Sequence, residues 1–205
     1  MNGPLKVNGG KFLEQITQNK PSSKSLLILE GQIRECYGRI VYSHKTHEKC
    51  ADILLYRLTS IKFWQIVLSA VTTAGFIAAV FGASVVGALI GLVISTCLLV
   101  LNAYTKNYDL GEISQKHKQA AIDLWLIRER YLSLLTDIRM SVKSESELLK
   151  ERDSLVVALH SVYSGAPSTN LKAYKIAQLS LQKYEDMTFS DSEIDAFLPS
   201  DLKRT

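Results

Sequence analysis

The chain lacks charged residues between Lys62 and Lys106. Gly82, Ala83 and Ser84 divide this part of the chain into two mainly apolar runs, residues 61–81 and 84–104. A bilayer's hydrocarbon layer is about 30 Å thick, and about 20 helical residues cross it. The sequence therefore predicts two transmembrane helices joined by a short turn.

Cysteine is also scarce, with three in 205 residues. Cys36, Cys50 and Cys97 are odd in number and have no metal-type spacing, which predicts reduced thiols rather than a disulfide framework. Residues 1–24 contain glycines and prolines without a sustained apolar run, so we expect a disordered segment and no cleavable signal peptide.

Catalytic motifs are missing as well. The sequence contains no phosphate loop, no Gly-x-Ser-x-Gly elbow, no zinc-protease histidine pair and no Cys-x-x-Cys. We interpret Asp109, Asp123 and Asp137 as solvated or ion-paired helix residues. The sequence predicts no catalytic residue, no cofactor and no enzymatic activity.

Histidines provide the one candidate metal cluster. His44, His47, Glu48 and Cys50 are close together in sequence, and His117 is predicted to lie near Ala51. Their spacing matches no common site closely. Histidines that hydrogen-bond across a helix contact are the favoured interpretation, and no metal is predicted.

The charges outside the apolar runs indicate a topology. Residues 1–62 hold ten Lys and Arg against five Asp and Glu, and no positive charge lies between the two runs. Since basic residues favour the cytoplasmic side, both termini should be cytoplasmic.

Heptad spacing is present on both sides of the apolar runs and predicts two helices that pack against each other. The transmembrane turn forces these helices to be antiparallel, with facing residue numbers that sum to about 167. The first set is Ile33, Tyr37, Ile40, His44, His47, Ala51, Leu54 and Leu58, and the second is Ile113, His117, Ala120, Leu124, Ile127, Tyr131, Leu134 and Ile138.

The predicted fold is therefore an all-α membrane protein, in which a two-helix transmembrane hairpin is followed by a cytoplasmic antiparallel stalk and C-terminal helices. Ser168 or Thr169 should cap one C-terminal helix, and Ser190 with Glu193 should form a capping box for another. The predicted parts are a disordered segment at 1–24, stalk helices at 25–61 and 106–163, the transmembrane hairpin at 62–105, and cap helices at 164–205.

Small residues recur every four positions in each apolar run. Such faces let transmembrane helices approach closely, and they serve either the contact within one hairpin or contacts between subunits. We leave both roles open. The residues are Ala70, Ala74, Ala78 and Gly82 in the first run, and Ala83, Gly87, Gly91 and Ser95 in the second.

A pore would need polar residues inside the spans, and Ser69, Thr72, Thr73 and Thr96 are candidates for its lining. Hydroxyl groups in a helix more often bond to a carbonyl one turn earlier. Because the spans contain no Asp or Glu, any pore is expected to be poorly selective.

The order of short motifs in the C-terminal third resembles the SLATT family, the SMODS and SLOG-associating two-transmembrane effectors of bacterial conflict systems. The motifs are ERDSL at 151–155, YSGAPSTN at 163–170, AY at 173–174, AQ at 177–178, TFSD at 188–191, EID at 193–195 and FLP at 197–199.

This resemblance implies an oligomeric anti-phage effector that permeabilises or depolarises the bacterial inner membrane and leads to abortive infection. Its expected partners are the bilayer, further copies of itself, and a genome-neighbour sensor such as a nucleotide second-messenger synthase or a reverse transcriptase. No direct nucleic-acid binding is predicted. The chain contains no sensor domain in this interpretation, so the trigger must be a partner or a small ligand.

Ser168, Thr169 and Asn170 form the candidate signal-receiving segment, because a helix N-terminus can hold an anion. A purely structural capping role is the alternative for this segment. The alternative for the whole protein is a membrane-anchored adaptor whose stalk docks a cytoplasmic partner without conducting ions.

Overall fold

The computed structural model describes residues 23–80, 82, 85–184 and 187–204. These residues form helices, and no strand is present among them. The predicted disordered segment lies outside the described residues except for Ser23 and Lys24, which are helical. The helices are α1 (Ser23–Val80), α2 (Val85–Asn107), α3 (Leu110–Met140), α4 (Glu145–Gly165), α5 (Leu171–Gln182), α6 (Asp191–Phe197) and a final 3₁₀ turn (Ser200–Leu202).

The turn between α1 and α2 includes Gly82, whose φ angle is 100°. Residues other than glycine rarely adopt this left-handed conformation, because their Cβ atoms clash with the backbone. Gly82 therefore allows the turn that the sequence predicts. Ala83 and Ser84 lie outside the described residues.

The predicted helix at 106–163 is interrupted at two places. The first lies at Tyr108–Asp109, where the Asp109 carboxylate accepts a hydrogen bond of 2.8 Å from the backbone N–H of Glu112. An aspartate in this position caps a helix N-terminus. Asp109 is exposed, in agreement with its interpretation as a solvated residue, but it caps α3 and does not lie within a continuous helix.

The second interruption, at residues 141–144, was also not predicted. Ser141 has a φ angle of 53°, and the backbone N–H of Val142 donates to the carbonyl oxygen of Asp137 at 3.3 Å, as in a Schellman motif. Ser144 then forms a capping box with Glu147, whose carboxylate accepts from the Ser144 backbone N–H at 2.8 Å. The chain therefore ends α3 and begins α4 within a few residues.

The two C-terminal helices differ in how well their caps were predicted. Asn170 caps α5 by accepting a hydrogen bond of 2.9 Å from the backbone N–H of Ala173. The prediction of Ser168 or Thr169 as this cap was wrong by one or two residues. The capping box of Ser190 and Glu193 at α6 is confirmed, and α6 ends before Pro199 as expected.

The helices form two compact units. The first unit contains residues 23–40 of α1 and residues 126–161 of α3 and α4. Two ion pairs join its helices. The Glu30 carboxylate of α1 lies 3.5 Å from the Arg139 guanidinium of α3, and the Arg130 guanidinium of α3 lies 2.8 Å from the Glu151 carboxylate of α4. Its buried apolar residues are Leu29, Ile33, Ile40, Ile127, Tyr131, Leu134, Ile138, Leu148 and Leu155.

The second unit contains the described residues of 41–125 and 162–204. Here α1 and α3 are antiparallel, since His47 contacts His117 and the carbonyl oxygen of Ala51 accepts a hydrogen bond from Ser114. Helix α5 packs through small buried residues, Ala173, Ala177 and Ser180. Most members of the two predicted heptad sets are buried, which confirms the prediction that these residues face inward.

Candidate functional site

The apolar parts of α1 and α2 are exposed in the isolated chain. Both contain a window long and apolar enough to cross a membrane, with mean hydropathies of 1.3 and 2.3, and no part of either window is buried. Phe76 of α1 and Val93 of α2 are 66% and 63% exposed. A soluble helix of this composition would bury most of this surface. Lipid is therefore the environment that suits these two helices.

Two polar residues join α1 and α2 near the ends of the apolar windows. The side-chain amide of Gln65 donates to the Asn102 oxygen at 2.9 Å and to the Thr105 hydroxyl at 3.3 Å. The numbers 65 and 102 sum to 167, the value that the sequence predicts for facing residues. An unpaired amide is costly away from water, so each of these amides provides a partner for the other.

A groove of ≈ 220 Å³ separates α1 from α2 farther along the spans. A Cβ atom added to Gly75 or to Gly91 would have no neighbour within 4 Å. Neither glycine is therefore needed for a close approach of the two helices within one chain. The groove is lined by Thr72, Gly75, Phe76, Gly87, Ala88, Gly91, Leu92 and Ser95.

The predicted small-residue faces are only partly brought together by this groove. Gly87, Gly91 and Ser95 of α2 line it, whereas Ala70 and Ala74 of α1 are exposed outside it. The side chain of Ala78 and the whole of Ala83 are not among the described residues. Gly75 was missed because the four-residue spacing of the alanines was followed instead. A search for all small residues in the first span could have found it.

The candidate pore-lining hydroxyls bond mainly to their own helices. Thr72 donates to the carbonyl oxygen of Leu68, Thr73 to that of Ser69 and Thr96 to that of Leu92, at 2.8–2.9 Å. This agrees with the structural alternative for these side chains. Ser69, Thr73 and Thr96 are exposed, and Thr72 is half-buried at the groove.

The histidine cluster contains a direct contact between helices. The Nδ1 atom of His47 on α1 lies 2.9 Å from the Nδ1 atom of His117 on α3. His117 therefore lies one turn away from its expected position near Ala51, which is bonded to Ser114 instead. Hydrogen bonding across a helix contact, the favoured interpretation of these histidines, is confirmed.

The environment keeps this histidine pair neutral. Burial, together with the charges that His117 and His44 would carry, lowers the pKa of His47 to about 4. Burial also lowers the pKa of His117. A neutral imidazole can accept a hydrogen bond through one nitrogen, which the contact between the two Nδ1 atoms requires.

The candidate signal-receiving segment is divided between two roles. Asn170 caps α5, and its side-chain nitrogen lies 3.7 Å from the sulfur of the buried Cys50. Burial raises the pKa of the Cys50 thiol. Ser168 and Thr169 instead line a cavity beside α1 and α5. Asn170 therefore has the structural capping role, while the hydroxyls of Ser168 and Thr169 are free to contact a ligand.

A comparison with protein families adds a match that covers most of the chain. Residues 29–193 match the SMODS and SLOG-associating 2TM effector domain family 4. No curated protein and no solved structure matches the chain. The family is an effector domain with two transmembrane helices, which agrees with the two exposed apolar windows. The chain belongs to this SLATT family of two-transmembrane effector domains.

Proposed function

We propose that the chain is a membrane effector of a bacterial anti-phage system, and that several copies assemble into a poorly selective pore or otherwise disrupt the inner membrane when triggered. Membership of an effector family supports the first part. The observation that carries the second part is the groove between α1 and α2, where Gly75 and Gly91 have open space beside them.

The open glycine surface suits contact with a second copy. Transmembrane helices associate through close backbone packing, because lipid tails are as apolar as the helices themselves. Gly75 and Gly91 do not serve this purpose within one chain, since nothing approaches their Cβ positions. A single pair of helices also encloses no channel. Several copies that pack through this surface are therefore the arrangement that we propose for conduction.

The chemistry of the spans supports a pore without strong ion preference. Thr72, Thr73 and Thr96 use their hydroxyl protons within their own helices, but each oxygen keeps a lone pair for water. Selective cation channels commonly use rings of Asp or Glu, and neither residue is present between Lys62 and Lys106.

The proposed orientation follows from the distribution of charge. The excess of basic residues before the first span supports cytoplasmic termini, with the turn at Gly82 on the outer side. The antiparallel parts of α1 and α3 would then form a cytoplasmic stalk. The trigger acts on this stalk in our proposal. It is either a genome-neighbour sensor, such as a nucleotide second-messenger synthase or a reverse transcriptase, or a nucleotide signal.

Membrane potential in living bacteria tests this proposal. The chain is expressed together with its genome neighbours, and a potential-sensitive dye is measured after the trigger. We expect rapid depolarisation and growth arrest for the wild type. Gly75→Leu and Gly91→Leu should abolish both effects and reduce cross-linked oligomers, because leucine fills the open surface. Gly38→Leu is the matched control, since Gly38 also lies in α1 with nothing within 4 Å.

Two outcomes separate the alternatives. Depolarisation and oligomers that persist in both groove variants would contradict the groove as a subunit contact. Triggered cells that keep their potential, while the chain still binds its neighbour's product, would instead support the membrane-anchored adaptor. The control variant Gly38→Leu must depolarise the membrane at the wild-type rate. Only then can a loss of depolarisation in the other two variants be assigned to the groove.

A further inference from the structure

We propose that a cavity beside residues 166–169 binds a small neutral ring compound with several hydroxyl groups, the chemistry that nucleosides and simple sugars share. The cavity has a volume of ≈ 330 Å³ and lies wholly within the second unit. Its walls come from α1, the end of α4, the following loop and α5. The proposal concerns binding and does not depend on pore formation.

Hydroxyl groups dominate the wall of this cavity. Ser168 and Thr169 belong to it, and neither hydroxyl has a hydrogen-bond partner among the residues that the structure describes. Tyr163 and Ser43 also line the cavity, and the Tyr163 hydroxyl donates to the Ser43 hydroxyl at 2.8 Å, which fixes both side chains. A hydroxyl group both donates and accepts hydrogen bonds. The wall therefore suits a ligand that carries donors and acceptors together.

Two tyrosine rings provide the apolar part of the site. The rings of Tyr42 and Tyr174 have centroids 6.0 Å apart and planes inclined by 30°. Gln182 donates to the Tyr42 hydroxyl at 2.8 Å and holds this ring in place. Aromatic faces pack well against the flat face of a base or a sugar ring. Ring and hydroxyl recognition are thus combined within one small volume.

The charge and size of the cavity narrow the class of ligand. No Lys, Arg, Asp or Glu belongs to its described lining. A charged ligand would give up part of its hydration at this wall without gaining an opposite charge, which disfavours it relative to a neutral ligand. The volume lies at the low end of the range for small-molecule sites, about 300–1,000 Å³. A neutral compound of one or two rings is therefore favoured over a phosphorylated one.

The cavity also contacts the histidine pair. His47 lines it, and the same ring is hydrogen-bonded to His117 on the neighbouring helix. A bound ligand therefore changes the surroundings of His47 directly. This predicts a shift of the His47 ring resonances on binding, whereas the exposed His160 in α4 should be unaffected.

Calorimetry on the full chain in detergent micelles tests the proposal. The probes are adenosine, guanosine, cytidine, uridine, ribose and glucose, and each nucleoside is paired with its 5′-monophosphate. We expect at least one neutral probe to bind with Kd below about 1 mM, and the paired monophosphate to bind at least about tenfold more weakly. The probe that binds identifies the class of the ligand, nucleoside or sugar.

Variants assign the binding to this cavity. Ser168→Ala combined with Thr169→Val should weaken the binding about tenfold, the effect of one or two hydrogen bonds, and both side chains are exposed, so folding should be kept. Thr136→Val, an exposed threonine outside the cavity, should bind as the wild type does. The proposal is overturned if no neutral probe binds, if the monophosphate binds equally well, or if the double variant keeps full affinity.

Discussion

The Nδ1 atoms of His47 and His117 lie 2.9 Å apart, with both side chains almost fully buried between α1 and α3. A hydrogen bond between two ring nitrogens needs one N–H group and one lone pair, so it exists only while at least one Nδ1 carries no proton. The contact between these two helices is therefore linked to the protonation of the pair.

Acidification should weaken this contact. An unfolded histidine titrates near pH 6.5, whereas burial and the neighbouring histidines lower the pKa of His47 in the fold to about 4. The unfolded chain therefore binds more protons than the folded chain between these pH values. The free energy of unfolding should be highest above about pH 6.5 and should fall by about 2–3 kcal/mol towards pH 4.

Chemical denaturation of the detergent-solubilised protein at several pH values measures this effect. In His47→Gln, the loss of stability between pH 7 and pH 5 should be smaller than in the wild type, because one of the two buried histidines whose pKa is lowered is gone. Thr136→Val, a substitution of an exposed residue that does not titrate, should keep the wild-type pH profile. Equal profiles for wild type and His47→Gln would show that the pair does not control stability.

The bond between Gln65 and Asn102 should contribute to the contact of α1 with α2. Gln65→Leu leaves the Asn102 amide without this partner, and Asn102→Leu leaves the Gln65 amide with only the Thr105 hydroxyl at 3.3 Å, while the double variant removes both amides. A double-mutant cycle of unfolding in mixed micelles should give a coupling energy of about 0.6 kcal/mol, and at most about 1.7 kcal/mol. Additive effects of the two substitutions would contradict this prediction.

The cap at α5 should reside in Asn170 alone. Asn170→Ala should lower the free energy of unfolding by about 1 kcal/mol, because the N–H of Ala173 loses its acceptor. Asn170→Asp should recover most of this loss. Thermal denaturation of Ser168→Ala and Thr169→Val provides the control, since neither side chain caps α5, and a loss as large as that of Asn170→Ala would refute the assignment.

The end of α3 should favour residues that tolerate a positive φ angle. Ser141 has a φ angle of 53°, a conformation that costs an L-residue about 1–2 kcal/mol and a β-branched residue still more. Denaturation midpoints should therefore decrease from Ser141→Gly to Ser141→Val, with a difference in unfolding free energy of about 1 kcal/mol or more. Similar midpoints for these two variants would indicate that the turn can adopt another conformation.

The sequence predicted the structure correctly wherever one physical signal dominates. The uncharged and mainly apolar stretch of 43 residues, 63–105, can be accommodated by helices in lipid, and heptad spacing identified Ile33, Leu124 and Tyr131 as inward-facing. The breaks at Asp109 and Ser144 were missed, although both residues are common caps. A cap competes with helix continuation by about 1 kcal/mol, so the residue type alone does not decide between them.

The sequence by itself therefore determined the family, the two apolar helices and the inward-facing sides, because composition and periodicity act over many residues at once. Only the tertiary structure decided which individual atoms meet. It paired His47 with His117 and Gln65 with Asn102, assigned the α5 cap to Asn170, and left Gly75 and Gly91 beside an open groove. The cap depends on a choice among three neighbouring residues, whereas the two pairs depend on distances of a few ångströms between residues far apart in the chain, which no local pattern fixes.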